Sequence, residues 1–166
     1  MQLVQFINLK KQKENVNVVV EQVFVQIVLI QIFVKDGEIW TERTPQGPSA
    51  PARAGHAMTY DPLYSRVVLF GGKGGGSISV GDTWEWDGQF ATWTDVTPAV
   101  TSPSPRFSHA MAFDASRNVT VLFGGYGRGD TWEWDGAVWE KVAEEDASGA
   151  SAPTPRWGHA MTYDAS

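Results

Sequence analysis

The chain has 166 residues, a formal net charge of −6 and no cysteine, and 42% of its residues are hydrophobic. This length and apolar content suffice for a packed core and exclude a disordered polymer. Without cysteine there is no disulfide framework and no thiolate zinc site, although the cellular compartment stays open. The only basic cluster is Lys10-Lys11-Gln12-Lys13. We therefore expect no nucleic-acid partner, since that needs a basic stripe.

The first 35 residues differ in composition from the rest. The basic cluster precedes a run from Val16 to Val34 that consists mostly of Val, Ile, Leu and Phe, with several amides and Glu21 inside it. Basic residues followed by an apolar segment are typical of a signal peptide or membrane anchor. The amides, the missing cleavage site and the β-branched content favour one or two strands instead, with a break at Glu21-Gln22. A membrane role is therefore not expected.

From residue 53 the chain repeats itself with a period near 50 residues, which is the signature of a repeat architecture. Each copy opens with an arginine, has a histidine three residues later, and keeps the same distance to a strand-ending aspartate. The arginines are Arg53, Arg106 and Arg156, and the histidines are His56, His109 and His159. Two copies are complete, and a third opens at Arg156. Length differences fall between the predicted strands, so the strands are constant and the loops vary.

Within one copy the apolar pattern has a period of two, which predicts strands. We predict them near 56–61, 66–71, 82–87 and 92–96, and again near 109–114, 119–124, 130–135 and 138–142. The first strand carries large residues on one face and small ones on the other, so copies can stack large face onto small face. The pairs Gly71-Gly72 and Gly124-Gly125 then allow the chain to turn where a side chain would obstruct it.

The repeat pattern begins with an incomplete repeat. Residues 36–40 have the spacing of residues 135–139, so they read as the end of a preceding repeat. A proline-rich connection follows, and proline disfavours a central strand. The expected boundaries are 1–35 for the divergent apolar segment, 36–52 for the end of a preceding unit with its linker, 53–105 and 106–155 for complete repeats, and 156–166 for the first strand of a further one.

These elements together resemble the kelch repeat. The resemblance covers residues 36–166 and rests on the Gly-Gly pairs after an apolar strand and on tryptophans at fixed places, namely Trp84, Trp86, Trp93, Trp132, Trp134 and Trp139. The sequence Asp-Thr-Trp-Glu-Trp-Asp-Gly is similar to that of bacterial kelch-type proteins. The resemblance implies an all-β fold of four-stranded antiparallel blades in a β-propeller, which usually serves as a binding scaffold.

The repeat number departs from that family. Propellers close with about four to eight blades, whereas this chain has two complete repeats and parts of two others. We therefore expect an incomplete propeller, either a fragment of a larger protein or a chain that self-associates. The N-terminal apolar run also fails to match a kelch strand pair.

The repeated polar and aromatic residues suggest sites, but repetition favours structural roles. The three histidines could be metal ligands, yet we expect each to hydrogen-bond a loop or neighbouring blade, and we expect no metal or cofactor. The arginines are expected to pair with aspartates such as Asp82 and Asp130. The third-strand tryptophans could stack on sugars if they were exposed, but packing between blades is the stronger expectation.

Loop variation indicates where a partner would bind. The glycine-rich stretch from Gly71 to Ser77 lacks the Gly-Lys-Ser/Thr ending of a phosphate loop, so we interpret it as a flexible loop. Variable loops on rigid strands commonly carry recognition. The expected contacts to a protein or glycan partner, from the rim that joins strands two and three, are Lys73, Ser77, Ile78, Tyr126 and Arg128; binding through Leu63, Tyr64 or Gln89 would instead place the site on the opposite rim.

Two functional classes stay open at this point. The first is a non-catalytic binding module. The alternative is a fragment of a carbohydrate-active propeller enzyme; a copper oxidase of this kind requires a cysteine, which the chain lacks. No acid, base or nucleophile stands apart from the repeat, so no catalytic residue is predicted.

Overall fold

The computed structural model describes residues 3–11, 14–22, 32–36 and 39–165. In these residues the fold is all-β, as predicted, and the only helix is a three-residue 3-10 turn at Gly75–Ser77. No helix in this described part is long and apolar enough to cross a membrane. The strands form three separate four-stranded antiparallel sheets, each a meander in which consecutive strands are neighbours.

We name the sheets in chain order. The N-terminal sheet contains β1 (Leu3–Lys11), β2 (Glu14–Gln22), β3 (Ile32–Asp36) and β4 (Ile39–Arg43). The first blade contains β5 (Ala57–Asp61), β6 (Arg66–Lys73), β7 (Ser79–Asp87) and β8 (Thr92–Asp95). The second blade contains β9 (Ala110–Asp114), β10 (Val119–Phe123), β11 (Thr131–Trp134) and β12 (Trp139–Ala143).

The strands predicted for the two blades are confirmed, with ends that differ by up to three residues. The glycine-rich loop is shorter than predicted. Strands β6 and β7 continue as a hairpin in which Lys73 pairs with Ser79, and the Gly74 N–H donates to the Ile78 carbonyl over 2.9 Å. In the N-terminal region β2 ends at Gln22, where a break was expected, while β1 was not predicted. Residues 23–31 lie outside the described residues.

Aspartates set the turns within both blades. The Asp61 carboxylate accepts hydrogen bonds from the N–H groups of Leu63 and Tyr64, which lie two and three residues further along. Asp87, Asp114 and Asp135 make the same pair of bonds in their own turns. An aspartate side chain that bonds to the following main chain pre-forms such a turn. The repeated strand-ending aspartate therefore determines where each strand stops.

Alternation along the strands gives each blade two different faces. In the first blade, one face holds the large residues Met58, Val67, Leu69, Trp84, Trp86 and Trp93, and we call it the tryptophan face. The other, which we call the alanine face, holds Ala57, Thr59, Val68, Phe70, Thr83 and Glu85. The second blade repeats both faces at equivalent positions.

The main core lies between the two blades. Ala57, Val68 and Phe70 on the alanine face of the first blade form one buried cluster with the tryptophan face of the second, which supplies Met111, Leu122, Trp132, Trp134 and Trp139. The predicted stacking of large face on small face is confirmed. One polar contact crosses this core, because Trp139 Nε1 donates to Thr83 Oγ1 over 2.9 Å. The third-strand tryptophans pack between sheets and do not present rings for sugar stacking.

Candidate partner-binding rim

A buried arginine–aspartate pair anchors the start of each complete repeat, as the sequence predicted. The Arg106 guanidinium binds both Asp130 oxygens, at 2.7 and 2.9 Å, and donates to the Gly124 carbonyl at 3.0 Å. Arg53 makes the same bidentate pair with Asp82. Burial would raise the pKa of Asp130, but the hydrogen bonds from Arg106 and Trp132 and the Arg106 charge outweigh it and lower that pKa to about 2. Each pair therefore stays ionised at neutral pH.

The glycine after β10 and its equivalent in the first blade let the next repeat approach closely. Gly71 has φ of +64°, and a Cβ built there would lie 2.7 Å from the Arg106 carbonyl oxygen. The adjacent Gly72 N–H donates to that carbonyl over 2.8 Å. Gly124 and Gly125 make the equivalent approach to Arg156. Only glycine combines this backbone conformation with this approach.

The repeated histidines lie at the junctions between repeats. His109 packs edge-on against Phe70 of the preceding blade, with ring centroids 5.5 Å apart, and His159 does the same with Phe123. Burial lowers the pKa of His109 to about 3, helped by the Arg106 charge, although the Phe70 main chain opposes the shift weakly. No ring nitrogen of His109 or His159 makes a hydrogen bond of good geometry with a described residue, although the Phe70 main chain lies close enough to act on the pKa of His109. The hydrogen bond to a neighbouring blade therefore stays a prediction, and ring packing is the contact found for both histidines.

No group of three potential metal ligands occurs among the described residues. His56 and His109 are buried as neutral rings, with the pKa of His56 lowered to about 4 by burial and by Arg53, whereas His159 is only partly buried. Their chemistry is that of packed core side chains.

At the rim that joins strands two and three, main-chain hydrogen bonds hold the chain within each repeat and link one repeat to the next. Within repeats, Ala54 and Lys73 exchange two of them, at 2.9 and 2.7 Å, and the Tyr126 N–H donates to the Phe107 carbonyl over 3.0 Å. Between repeats, Ser108 N–H donates to the Gly55 carbonyl at 2.7 Å, and Gly158 N–H to the Ser108 carbonyl at 2.8 Å. The rim backbone is therefore held in place independently of its side chains.

A row of side chains crosses this rim, and we call Phe107, Tyr126 and Trp157 the aromatic row. Phe107 and Tyr126 stack with centroids 5.2 Å apart, and Tyr126 meets Trp157 edge-on at 5.3 Å. Lys73 Nζ lies 3.9 Å from the Phe107 ring centroid, in cation–π geometry. Tyr126 and Trp157 are each 60% exposed. Large exposed aromatic side chains on a rigid frame are typical of contact surfaces.

The structure brings some of the expected contact residues together. Lys73 and Tyr126 lie at or in the aromatic row. Ser77 and Ile78 lie at the tip of the β6–β7 hairpin, where Ile78 is largely exposed, and Arg128 is exposed in the short loop that also carries Tyr126. Sequence reasoning missed Phe107 and Trp157. The available signal was the variation directly after the repeated arginine, where Ala54, Phe107 and Trp157 stand between the repeated arginine and the repeated histidine.

The opposite rim also exposes apolar side chains, including Leu63, Tyr64 and Phe90. Tyr64 has a role in packing, because a Cβ at Gly136 of the second blade would lie 2.7 Å from its ring. Gln89 is exposed in the turn opened by Asp87. No aromatic ring pair is found among the described residues of this rim.

The stacked four-stranded sheets, the Arg–Asp anchors and the Gly-Gly approaches define an arc of kelch-type propeller blades. The chain matches the KLHDC2/KLHL20/DRC7 Kelch-repeats domain over residues 26–166, and it belongs to the kelch-repeat family. This match begins at residue 26, whereas the resemblance to the kelch repeat in the sequence begins at residue 36. The chain is also 32% identical over 87 residues to the dynein regulatory complex subunit 7 of Chlamydomonas reinhardtii, which covers 52% of this chain and 7% of that protein.

Proposed function

We propose that the chain is a non-catalytic binding scaffold that holds a protein partner on the rim carrying the β6–β7 hairpin and the aromatic row. One observation carries the proposal: Ile78, Tyr126 and Trp157 are at least 60% exposed on a backbone fixed by hydrogen bonds within and between repeats. Rigid presentation limits the ordering entropy that a partner must overcome, so such a surface favours binding.

The family and the relative support a protein partner. Kelch repeats commonly serve as interaction scaffolds, and the relative in Chlamydomonas reinhardtii is named as a subunit of a regulatory complex. The share of that relative covered here is small, so its assembly is not transferred to this chain. The third-strand tryptophans give the enzyme alternative no support, because they are buried between sheets and cannot stack on a sugar.

The test is selective removal of the hairpin tip. Replacing residues 74–78 with a two-residue Asn-Gly turn keeps the Lys73–Ser79 pair and suits a tight hairpin. Peptides would first be selected on the wild-type chain from a displayed library of random 12-residue sequences. We expect the shortened variant to lose affinity for the selected peptides while the midpoint of thermal unfolding changes little.

The matched control is on the opposite rim. Leu63→Ser and Phe90→Ser remove exposed apolar side chains of comparable size from turns that make no contact with the hairpin tip, and they should leave affinity unchanged. Binding that survives shortening of the hairpin but is lost in the Leu63 or Phe90 variants would contradict the proposal and place the site on the opposite rim.

A further inference from the structure

We propose that the aromatic row binds a short, extended, acidic peptide segment that packs an apolar or aromatic side chain against the exposed faces of Tyr126 and Trp157. This inference rests on the proposed function and names the kind of partner that the same rim takes. Three observations on the described residues carry it: the open faces of the row, the sign of the charges around it, and its length.

The row is open at one end only. The ammonium group of Lys73 covers a face of Phe107, and Tyr126 stacks on the same ring with an interplanar angle of 17°. Phe107 is therefore enclosed and half-buried. Tyr126 and Trp157 are in edge-on contact at 62°, and both rings remain mostly exposed. An apolar anchor from a partner fits in the angle that the two rings form, because it covers their exposed surfaces.

The charges beside the row that are not in Arg–Asp pairs are positive although the whole chain is acidic. The two loops on this rim, residues 73–79 and 126–129, contain Lys73 and Arg128 and no acidic residue, in a chain of net charge −6. Asp82 and Asp130, which follow these loops, are paired with Arg53 and Arg106. The exposed Arg156 side chain, next to Trp157, donates to Thr154. A local cationic patch on an acidic protein attracts carboxylates and repels basic segments.

The acidic residues of the same rim do not neutralise this patch. Glu144, Glu145 and Asp146 follow β12, the edge strand farthest from β9 in the second blade. The aromatic row lies next to β9 and β10, because Phe107 precedes β9 and Tyr126 follows β10. Asp146 also uses its carboxylate oxygens to bind Ser148 and Ser151.

The length of the aromatic row limits how many peptide residues it can contact. Its two centroid steps of 5.2 and 5.3 Å correspond to about three residues of extended chain, which rises about 3.3 Å per residue. The anchor therefore needs carboxylates within one or two residues on either side to reach Lys73, Arg128 or Arg156.

The test uses the full chain and labelled peptides of fixed sequence in fluorescence polarisation. The probe is Asp-Glu-Phe-Pro-Glu-Asp; the comparison peptides are Lys-Arg-Phe-Pro-Arg-Lys, with reversed charge, and Asp-Glu-Ser-Gly-Glu-Asp, without an anchor. We expect the probe to bind at least about tenfold more tightly than either comparison peptide, a difference of about 1.4 kcal/mol. Raising the salt concentration should weaken probe binding. Equal binding of the reversed-charge peptide, or displacement of the probe by cellohexaose, would overturn the proposal.

Variants assign the binding to individual residues. Tyr126→Ala and Trp157→Ala should each weaken probe binding about tenfold or more, and Arg128→Glu should weaken it and reduce its salt dependence. Phe90→Ala removes an aromatic ring of similar exposure from the opposite rim and should have no effect. Unchanged binding in both the Tyr126 and Trp157 variants overturns the proposal. If hairpin shortening still abolishes binding of the library peptides in that case, the proposed function stands without this site.

Discussion

The first and second blades present the same alanine face, but only the first has a complete blade packed on it. Val68, Thr83 and Glu85 of the first blade are buried, whereas their equivalents Val121, Thr131 and Glu133 are partly exposed. In the second blade the segment from residue 156 covers only part of the face, where His159 meets Phe123. Equivalent side chains on the alanine face are thus buried in the first blade and partly exposed in the second.

This difference distinguishes the stability that a repeat has alone from the stability that packing against a neighbouring repeat adds. The hairpin turns, the strand pairing and the Arg–Asp anchors are complete in both blades. The core contacts, the Trp139–Thr83 hydrogen bond and the full burial of the histidine exist only where a complete neighbour is present. In repeat proteins stability is a sum of intrinsic and interface terms, and here equivalent positions allow the two to be measured apart.

The largest contrast is expected at the repeated arginine. Arg106→Ala leaves Asp130 as a partly buried carboxylate without its partner and should lower the free energy of unfolding by about 3–5 kcal/mol. Arg156 is exposed and has no carboxylate partner among the described residues, so Arg156→Ala should cost less than about 0.5 kcal/mol. Urea unfolding of both variants checks this, and equal costs would refute the buried-pair explanation.

The next contrast concerns the glycines that approach the following repeat. Gly71→Ala places a methyl group against the carbonyl of the buried Arg106 at positive φ, and we expect a loss of at least about 2 kcal/mol. Gly124→Ala meets the carbonyl of Arg156, whose segment is exposed and can shift, so the loss should be smaller. Thermal unfolding of the two variants measures the difference. A larger loss of stability in Gly124→Ala would mean that the segment of Arg156 is held more firmly than the segment of Arg106.

Acidification should destabilise the fold through the buried histidines. Their unfolded pKa is about 6.5, whereas burial lowers the folded pKa of His56 to about 4 and that of His109 to about 3. Below pH 6.5 the unfolded chain binds protons that the folded chain does not, so the free energy of unfolding should fall by up to about 1.4 kcal/mol per pH unit for each histidine. Urea unfolding between pH 7 and pH 5 measures this slope.

The control for this pH effect is substitution by an isosteric neutral side chain. His109→Gln should remove about half of the slope between pH 6.5 and pH 5 because one of the two fully buried rings no longer titrates. The Arg-paired carboxylates do not contribute in this window, since the pKa of Asp130 is lowered to about 2. A slope that is the same in wild type and variant would show that His109 is not buried as a neutral ring.

The smallest difference between the blades is expected at Thr83 and Thr131, which occupy equivalent positions in the two blades. Thr83→Val removes the acceptor of the buried Trp139 indole N–H and should cost about 1–2 kcal/mol. Thr131 is its equivalent on the open alanine face and makes no side-chain hydrogen bond among the described residues, so Thr131→Val should be nearly neutral. Parallel chemical unfolding curves check this pair. A cost at Thr131 comparable to that at Thr83 would rule out the inter-blade bond as the cause.

Much of the fold could be predicted because the determining signals are local. Alternation sets the strand faces, aspartates set the turns, and the Gly-Gly pairs mark the close approaches. The length of the β6–β7 hairpin was mispredicted because a glycine-rich composition suggests a loop. Main-chain pairing and the hydrogen bond from the Arg106 N–H to the Val80 carbonyl stabilise the hairpin without side chains. The aromatic row was missed because its residues are distant in sequence. Phe107 and Tyr126 meet within one folded repeat, and Trp157 joins them only when the next repeat stacks.

The Trp139–Thr83 bond has a spectroscopic consequence, because the indole N–H groups sit in different environments. The indole of Trp132 donates to a carboxylate, Trp139 donates to a hydroxyl, and Trp93 Nε1 has no partner among the described residues. Nuclear magnetic resonance of the indole protons should therefore resolve each junction between sheets separately and report which one opens first.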